Sequence, residues 1–456
     1  MTLRDYVSLG RSGLRVSPVC LGAMTFGEDW GWGSSVEESE QILDRYTEQG
    51  GNFIDTANGY TKGHSEKIIG DHIGRHPARR ARTVIATKFF TNMYEGDPNG
   101  GGAGRKSLTY ACEQSLRRLQ TDYIDLYWMH CWDHFTPIEE TMRALDDLVA
   151  SGKVRYIGFS DTPAWKVAQA QTIAQFRGWT PLIALQLEYS LLERTIEGDL
   201  IPAALELGLG VTPWSPLRSG VLTGKYTRES VKTDAPGRGA FVTRAFSEDA
   251  FKVLDVLTAV AAEAGTTPAR AALAWVRQRT GVSSTIIGAR TLEQLDDNLG
   301  SLAVTLTPEQ METLNAASLP KLNFPHEFLR NVGGFGYNGS TIDGQTAQAS
   351  HQYTWPSGSP QGLKLDVQSS DTTVSMASYQ GPWSIFQLMA EADPHAPGAR
   401  EITLTKVRHG RGIPEPVIVG GKEVTVHIRI EEFPGGVETA FDKGFFSCRC
   451  PVKAAL

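Results

Sequence analysis

From residue 52 to residue 299 the chain repeats one pattern: a short apolar run, a polar break, then a longer stretch with apolar positions three and four apart. The runs Asn52–Thr56, Thr83–Lys88, Ile124–His130, Val154–Ser160, Leu182–Gln186, Gly210–Trp214 and Ser284–Gly288 each predict a strand. Between and after them the spacing predicts helices near Ser65–Ile73, Lys106–Leu119, Ile138–Gly152, Ala164–Phe176, Gly198–Leu207, Ser247–Ala264, Pro268–Gln278 and Leu292–Leu299. Ahead of the repeat, residues 6–22 read as a β-hairpin with a Gly10–Gly13 turn, and the segment around Cys20 supplies one further strand. A helix follows from Val36 to Gln49, with Ser35 as N-cap, Glu38 three residues on, and Gly50-Gly51 as its stop.

Eight strand-then-helix units predict an α/β fold with parallel strands joined by crossover helices, closed into a (β/α)8 TIM barrel preceded by the hairpin. A doubly wound sheet would normally place a glycine-rich phosphate turn after its first strand, and Leu21–Gly27 supplies none. Gly334-Phe-Gly336-Tyr-Asn-Gly339 has the spacing of such a turn, but no strand is expected before it and no helix after it, so it reads as a flexible loop. After about Gly344 the pattern changes. Residues 345–370 are rich in Ser, Gln, Gly, Pro and Thr. Alternation then returns at Leu363–Val367, Ile402–Val407 and Val424–Ile430, with one helical patch over Trp383–Ala392. Two domains are therefore expected: the barrel over 1–343 and a small, mostly-β, sandwich-like domain over 344–456.

Composition narrows the function. Of 456 residues, 41% are hydrophobic and 21% charged, enough apolar mass for a large core. A net charge of −7, with no basic run interleaved with aromatics, argues against nucleic acid or an anionic membrane as the main partner. The first residues carry no apolar signal segment and no run has the length of a membrane span, so a cytoplasmic location is expected. Cys20, Cys112 and Cys131 stand apart from one another. Cys448-Arg-Cys450 is a lone C-x-C pair, so free thiols are expected and no metal site.

The candidate chemistry lies between Gly51 and His130. Three predicted strands end at Asp55, Lys88 and His130, and Tyr60 lies five residues past Asp55. In a barrel these strand ends share one mouth, where active sites are built. Singly, each residue has an ordinary explanation as a cap, a solvated charge or a core histidine; together they make an arrangement for proton donation. Free tyrosine, with a pKa near ~10, is a weak acid, and a neighbouring ammonium would stabilise its phenolate and lower that pKa. Lys88 is placed to supply the charge, Asp55 to hold Lys88 protonated, and His130 to hold a carbonyl against Tyr60. A hydride would have to come from a cofactor. Met24, Trp30, Trp32, Phe90, Cys131 and Trp132 sit in loops that would wall a pocket for an apolar or aromatic aldehyde or ketone, although loop aromatics serve equally as core plugs.

Taken together, Asn52–Tyr60, Ile85-Ala-Thr-Lys88, Leu116–His130, Gly152–Ser160 and Gln186-x-Glu-Tyr-Ser190 make residues 6–343 resemble the aldo-keto reductase superfamily. The similarity is to the branch of aryl-alcohol-dehydrogenase-like reductases and potassium-channel β subunits. That resemblance implies NADP(H) extended across the barrel mouth, with Asp55, Tyr60, Lys88 and His130 as the catalytic tetrad and Tyr60 as general acid. It implies Ser160, Asp161 and Gln186 on the nicotinamide carboxamide and Trp214 against the ring. Residues 217–226 would lie over the pyrophosphate, with Gly22, Met24, Ser215, Leu217, Gly220 and Lys225 among the cofactor contacts. Position 161 is usually Asn in that family; an Asp accepts a hydrogen bond there but cannot donate one. Gly288, Arg290, Gln294, Asp297 and Asn298 match the adenosine and 2′-phosphate site. Arg290, Gln294 and Asn298 also form one polar stripe at the start of a helix, where an anion is favoured; solvated polar positions of an ordinary amphipathic helix remain the alternative.

Residues 345–456 have a separate resemblance. Tyr353–Gly358, Gly381–Met389, Val424–Ile430 and Phe446–Pro451 look like the C-terminal β domain of the type VI secretion IcmF/VasK family. This implies a sandwich-like fold and a role in protein contacts. Two functions follow as expectations: a reductase of small carbonyl compounds, or an NADP(H)-binding module with little turnover and a protein partner held through 345–456. Homo-oligomerisation is left open.

Overall fold

The computed structural model describes residues 1–226 and 247–337, residues 339–346, and short strand segments beyond them. The chain divides into two compact units, Met1–Glu327 and Phe328–Leu456. The first is a (β/α)8 barrel. Its strands are β1 (Val19–Gly22), β2 (Phe53–Asp55), β3 (Val84–Phe89), β4 (Ile124–Met129), β5 (Val154–Ser160), β6 (Leu182–Glu188), β7 (Gly210–Trp214) and β8 (Thr285–Gly288). They run parallel in one sheet of order β8-β1-β2-β3-β4-β5-β6-β7. The ring closes where Val211 N–H donates to Gly281 O at 3.1 Å and Ser283 N–H donates to Val211 O at 2.8 Å. The helices are α1 (Val36–Glu48), α2 (His64–Ile69), α3 (Arg105–Leu119), α4 (Ile138–Ala150), α5 (Ala164–Arg177), α6 (Leu200–Leu207), α7 (Glu248–Glu263), α8 (Pro268–Arg277), α9 (Leu292–Gly300) and α10 (Pro308–Ala317).

Side-chain alternation along the strands sorts the core into two layers. Phe53, Val84, Ala86, Leu126 and Trp128 fill the barrel interior. Ile54, Ile85, Tyr127 and Met129 point outward and pack with Leu108, Cys112, Met142 and Leu145 of the helices. The same period carries Asp55, Lys88 and His130 to the inward side at the C-terminal mouth. The N-terminal mouth is plugged by the hairpin, whose Leu9 and Val16 are fully buried in the interior cluster. Gly10, at its turn, has φ +58°, and a Cβ there would lie 2.2 Å from Ile183 O, so only glycine fits.

Local chemistry explains why the elements start and stop where they do. Ser35 and Glu38 form the expected capping box on α1, with Glu38 N–H to Ser35 Oγ at 3.2 Å and Ser35 N–H to Glu38 Oε2 at 3.0 Å. On the buried face of α1, Tyr46 OH lies 2.7 Å from Val19 O and 2.9 Å from Phe53 O, locking the helix to β1 and β2. The hairpin strands are only Val7–Ser8 and Arg15–Val16. The arm expected to run on to residue 22 breaks at Pro18, and Val19–Gly22 leaves the hairpin to become β1. The helix expected near Ser65–Ile73 is α-helical to Ile69 and π-helical over Gly70–Gly74. In that wider turn, Gly70 and Gly74 lie flush against the end of α3; a Cβ on Gly74 would sit 1.7 Å from Leu119 O. Pro77–Arg80 and α10 were not expected from the pattern.

Two expectations are corrected. Gly334 and Gly336 lie in a helix, α11 (His326–Tyr337), and not in a loop. Phe328, Leu329, Val332 and Phe335 recur at helical spacing, a local signal that competes with the glycines. The helical patch over 383–392 is instead the strand Phe386–Glu391, paired antiparallel with Ile402–Val407 and with Ser375–Met376. A short apolar run does not choose between helix and strand; pairing chose. Expected strand Val424–Ile430 is divided, Lys422–Val424 pairing with Val417–Val419 and Val426–Ile428 with Phe446–Cys448. Leu363–Val367 lies outside the described residues, as does Cys450. No described helix is long and apolar enough to cross a membrane.

Inside the barrel Gly158 of β5 faces the indole of Trp128. A Cβ there would lie 2.3 Å from Trp128 Cζ3 and 2.8 Å from Ala184 O. Gly158→Ala is expected to overpack the interior and lower unfolding free energy by ~1–3 kcal/mol, read as a shifted midpoint in urea with an unchanged slope.

Candidate active site

The interior layer ends at a buried ion pair. Lys88, fully buried at the end of β3, donates to the Asp55 carboxylate Oδ2 at the end of β2. Its ammonium donates also to Thr56 O at 2.8 Å and to Tyr60 OH at 3.1 Å. All three of its donors are therefore used. The other carboxylate oxygen, Asp55 Oδ1, accepts from Gln186 Nε2 of β6 at 2.9 Å. Four segments converge on one pair of charges.

Tyr60 is placed by the turn after β2. Tyr60–Gly63 is a 3-10 turn in which Thr61 and Lys62 take left-handed backbone at φ 44° and 57°. Thr61 is buried, and its Oγ1 donates to Phe26 O at 2.8 Å and accepts from Ser65 N at 3.0 Å. Ser65 Oγ in turn donates to Ala23 O at 2.7 Å. The phenol is thus pinned between the loop after β1 and Lys88. His130 closes the cluster, its ring edge-on to Tyr60 with centroids 5.8 Å apart.

Burial and charge set the protonation states. Burial alone would depress the Lys88 pKa, but Asp55 and Tyr60 more than offset it and hold the ammonium above its ordinary value. Burial raises the Tyr60 pKa; Lys88 pulls it down but does not win, and Asp55 opposes it. The expected depression of Tyr60 is therefore corrected: the hydroxyl stays protonated, with Lys88 positioned to favour the phenolate once it forms. Burial, then the Lys88 charge, pushes the His130 pKa down to about 3, so its imidazole is neutral at ordinary pH.

The remaining candidate residues line the strand ends. Gly22 and Gly288 are register partners in β1 and β8, and Ser160 and Gln186 are partners in β5 and β6. Ser160 Oγ is buried; it lies close enough to Asp161 to favour that carboxylate, yet forms no hydrogen bond of good geometry. A buried, unsatisfied hydroxyl beside an open mouth fits a ligand's polar group. Asp161, at φ 40°, accepts from Trp214 Nε1 at 3.1 Å. Gln186 braces the ion pair from across the barrel through its Nε2. Ser215, Leu217 and Gly220 belong to a turn after β7 in which Ser215, Arg218 and Ser219 have positive φ, and Lys225 is exposed beyond it. Arg218 pairs with Glu188. Met24 and Trp30 are exposed on the loop after β1; Trp30 lies 5.5 Å from Trp32 and 6.5 Å from Tyr60, ring to ring.

At the far end, Arg290 precedes α9, whose N-cap is Thr291. Gln294 Oε1 accepts from Arg290 N at 2.9 Å, and buried Asn298 donates to Gly288 O at 3.1 Å. Asp297 turns away and pairs with Arg270 of α8 at 2.8 Å. Among the described residues the Arg290 guanidinium has no acidic partner. Sequence reasoning missed the Thr56 carbonyl, which is backbone and carries no residue signal. It also missed the strained positions Phe90, Asp161 and Ser215, each just past a strand end with φ between 40° and 117°. No group of three or more His, Cys, Asp or Glu among the described residues is placed to hold a metal ion.

A parallel (β/α)8 barrel with a buried Asp–Lys pair, a tyrosine and a neutral histidine at its C-terminal mouth defines a class of barrel with ionisable groups gathered at the strand ends. Comparison with known proteins gives the family. Residues 18–318 match the model of the aldo/keto reductase family, and the chain belongs to it. Norsolorinic acid reductase B of Dothistroma septosporum is 39% identical over 324 residues, covering 69% of this chain and 82% of that protein. Aryl-alcohol dehydrogenase [NADP(+)] of Phanerodontia chrysosporium is 35% identical over 360 residues, covering 75% and 91%. An aryl-alcohol dehydrogenase of Pestalotiopsis microspora is 37% identical over 337 residues, covering 71% and 83%. The first unit is thus an oxidoreductase of that family. Residues 335–412 match the model of the type VI secretion protein IcmF C2-like domain, a start upstream of the 345 expected from sequence.

Two stability outcomes follow from the pair and the histidine. Lys88→Met strands a buried carboxylate and is expected to cost ~3–5 kcal/mol, with part of the loss recovered in Lys88→Met/Asp55→Asn; equal loss in both proteins would refute the pairing argument. His130 has a folded pKa below that of the unfolded chain. As pH falls from about 6.5 towards about 3 the unfolded chain takes up a proton that the native site refuses, so stability drops through that window. His130→Gln is expected to flatten this dependence in urea titrations.

Proposed function

We propose that the first unit is an NADP(H)-dependent oxidoreductase that reduces aldehydes and ketones, aromatic or apolar ones in particular, with Tyr60 as general acid. The observation that carries this reading is the Lys88 ammonium, buried and shared between Asp55 and the Tyr60 hydroxyl. A carbonyl oxygen that gains negative charge needs a proton at that moment. Tyr60 holds one, and Lys88 stabilises the phenolate left behind. Asp55 keeps Lys88 charged without adding net charge to the mouth. His130, neutral, donates a hydrogen bond to the same oxygen and fixes its position. When bound, the reduced nicotinamide supplies the hydride.

The residues at the mouth fit that cofactor. Ser160, Asp161 and Gln186 would take the carboxamide, Trp214 the ring, and the turn from Ser215 through Leu217 and Gly220 to Lys225 the pyrophosphate. Gly22 and Met24 border the same opening. Gly288, Arg290, Gln294 and Asn298 are placed for the adenosine end, with Asp297 and Arg270 bracing the segment from behind. A guanidinium near a helix N-terminus, with no acidic partner among the described residues, supports a 2′-phosphate, hence NADP(H) over NAD(H). Trp30, edge-on to Tyr60 and tilted against Trp32, supports an aromatic substrate, as do the names of the relatives.

A second reading draws on residues 335–412: a cofactor-binding module with little turnover, tied to a protein partner through residues 345–456. The test of the first is the loss of NADPH absorbance with a panel of aromatic aldehydes. Tyr60→Phe is expected to lower turnover by ~10²–10⁴ while leaving NADPH binding intact, and Arg290→Ala to weaken NADPH far more than NADH. Binding of NADPH without turnover on the whole panel would replace the first reading with the second.

A further inference from the structure

The carboxylates around the mouth are not equivalent. Asp55 is neutralised by Lys88, Glu188 is paired with Arg218, and Glu193 accepts from Thr195. Asp161 has no ion-pair partner among the described residues. Its one strong neighbour is the neutral Trp214 N–H at 3.1 Å. It is held there by a left-handed backbone at φ 40°, just past the end of β5 and next to the unsatisfied Ser160 hydroxyl. Its field reaches the reaction centre: Asp161 acts electrostatically on Tyr60 and on Cys131, raising both, while Lys88 acts on Asp161 in the opposite sense. Leu187, Glu188 and Glu193 line the same hollow from β6 and the loop after it.

Nicotinamide cofactors exist as a cationic oxidised ring and a neutral dihydro ring. We propose that the Asp161 carboxylate makes this barrel distinguish the two, favouring the oxidised, cationic ring over the reduced one. This rests on the cofactor reading above, which sets the ring against Trp214, the hydrogen-bond partner of Asp161. A lone carboxylate beside that position attracts the cation and is indifferent to the neutral ring; Asp55, cancelled by Lys88, contributes little. Partial burial pushes the Asp161 pKa up to about 6, so the preference should appear as pH rises through that value. An asparagine keeps the oxygen that accepts from Trp214 and removes only the charge, which separates electrostatics from positioning.

The test is equilibrium binding, followed by protein fluorescence, of NADP⁺ and NADPH separately to the full chain between pH 5 and 8. The ratio of the two dissociation constants is the readout. The 2′-phosphate titrates in the same range but is common to both forms and cancels. In the natural protein the ratio should shift towards NADP⁺ by on the order of tenfold as pH rises. In Asp161→Asn it should stay flat at the low-pH value. A natural-protein ratio independent of pH, or an Asp161→Asn ratio equal to it at pH 8 with both forms still bound tightly, overturns the inference and leaves the cofactor reading standing. Failure of both forms to bind the natural protein overturns both.

Discussion

The site depends on a lysine that could not be buried alone. Removing an ammonium from water costs several kcal/mol unless its charge and all its donors are met. Here the Asp55 carboxylate, the Thr56 carbonyl and the Tyr60 hydroxyl meet them. This demand reaches outward. Asp55 is shared with Gln186 from across the barrel, so β2, β3 and β6 must keep their register for the pair to close. The interior beneath supplies the low dielectric that strengthens the pair and makes its loss costly. Hairpin plug, packed interior and ion pair form one stack along the barrel axis.

From that pair follows the division of charge at the mouth. Lys88 and Asp55 cancel, leaving Tyr60 and His130 as neutral groups whose pKa values burial drives in opposite chemical senses: the phenol stays protonated and the imidazole unprotonated. A phenol that holds its proton at rest stands beside a cation that stabilises its conjugate base. The simpler expectation, a tyrosine acidified by lysine, considered the charge and omitted the desolvation. In this site desolvation is the larger of the two.

The rim around the cluster is built from strained backbone. Phe90 follows β3, Asp161 follows β5 and Ser215 follows β7, all at positive φ and none of them glycine. Left-handed backbone costs a non-glycine residue of order 1–3 kcal/mol, and the parallel sheet supplies the rigidity that holds it. The loop after β5 meets the end of β7 in the Trp214–Asp161 hydrogen bond, which ties the orientation of the indole to the place of the carboxylate.

The order of strands and helices was legible because it rests on periodicity. A barrel strand must alternate and a covering helix must present one apolar face, and both requirements are written locally. The strand-end positions of Asp55, Lys88 and His130 could be read for the same reason, since a period of two carries an inward residue to the mouth. Where local signals conflict, sequence was insufficient: the glycines of His326–Tyr337 suggested a loop, and Phe386–Glu391 was compatible with either helix or strand until a partner strand decided. Distances across the barrel were beyond it altogether. That Gln186 gives its amide to Asp55, that Asp297 turns to Arg270, that Tyr60 is raised and not lowered, all depend on which groups meet after folding and how much water they lose. Sequence by itself determined the elements and the cast of reactive side chains; their partners, protonation states and unpaired charges were decided only by tertiary structure, because pairing and desolvation are properties of the assembled mouth.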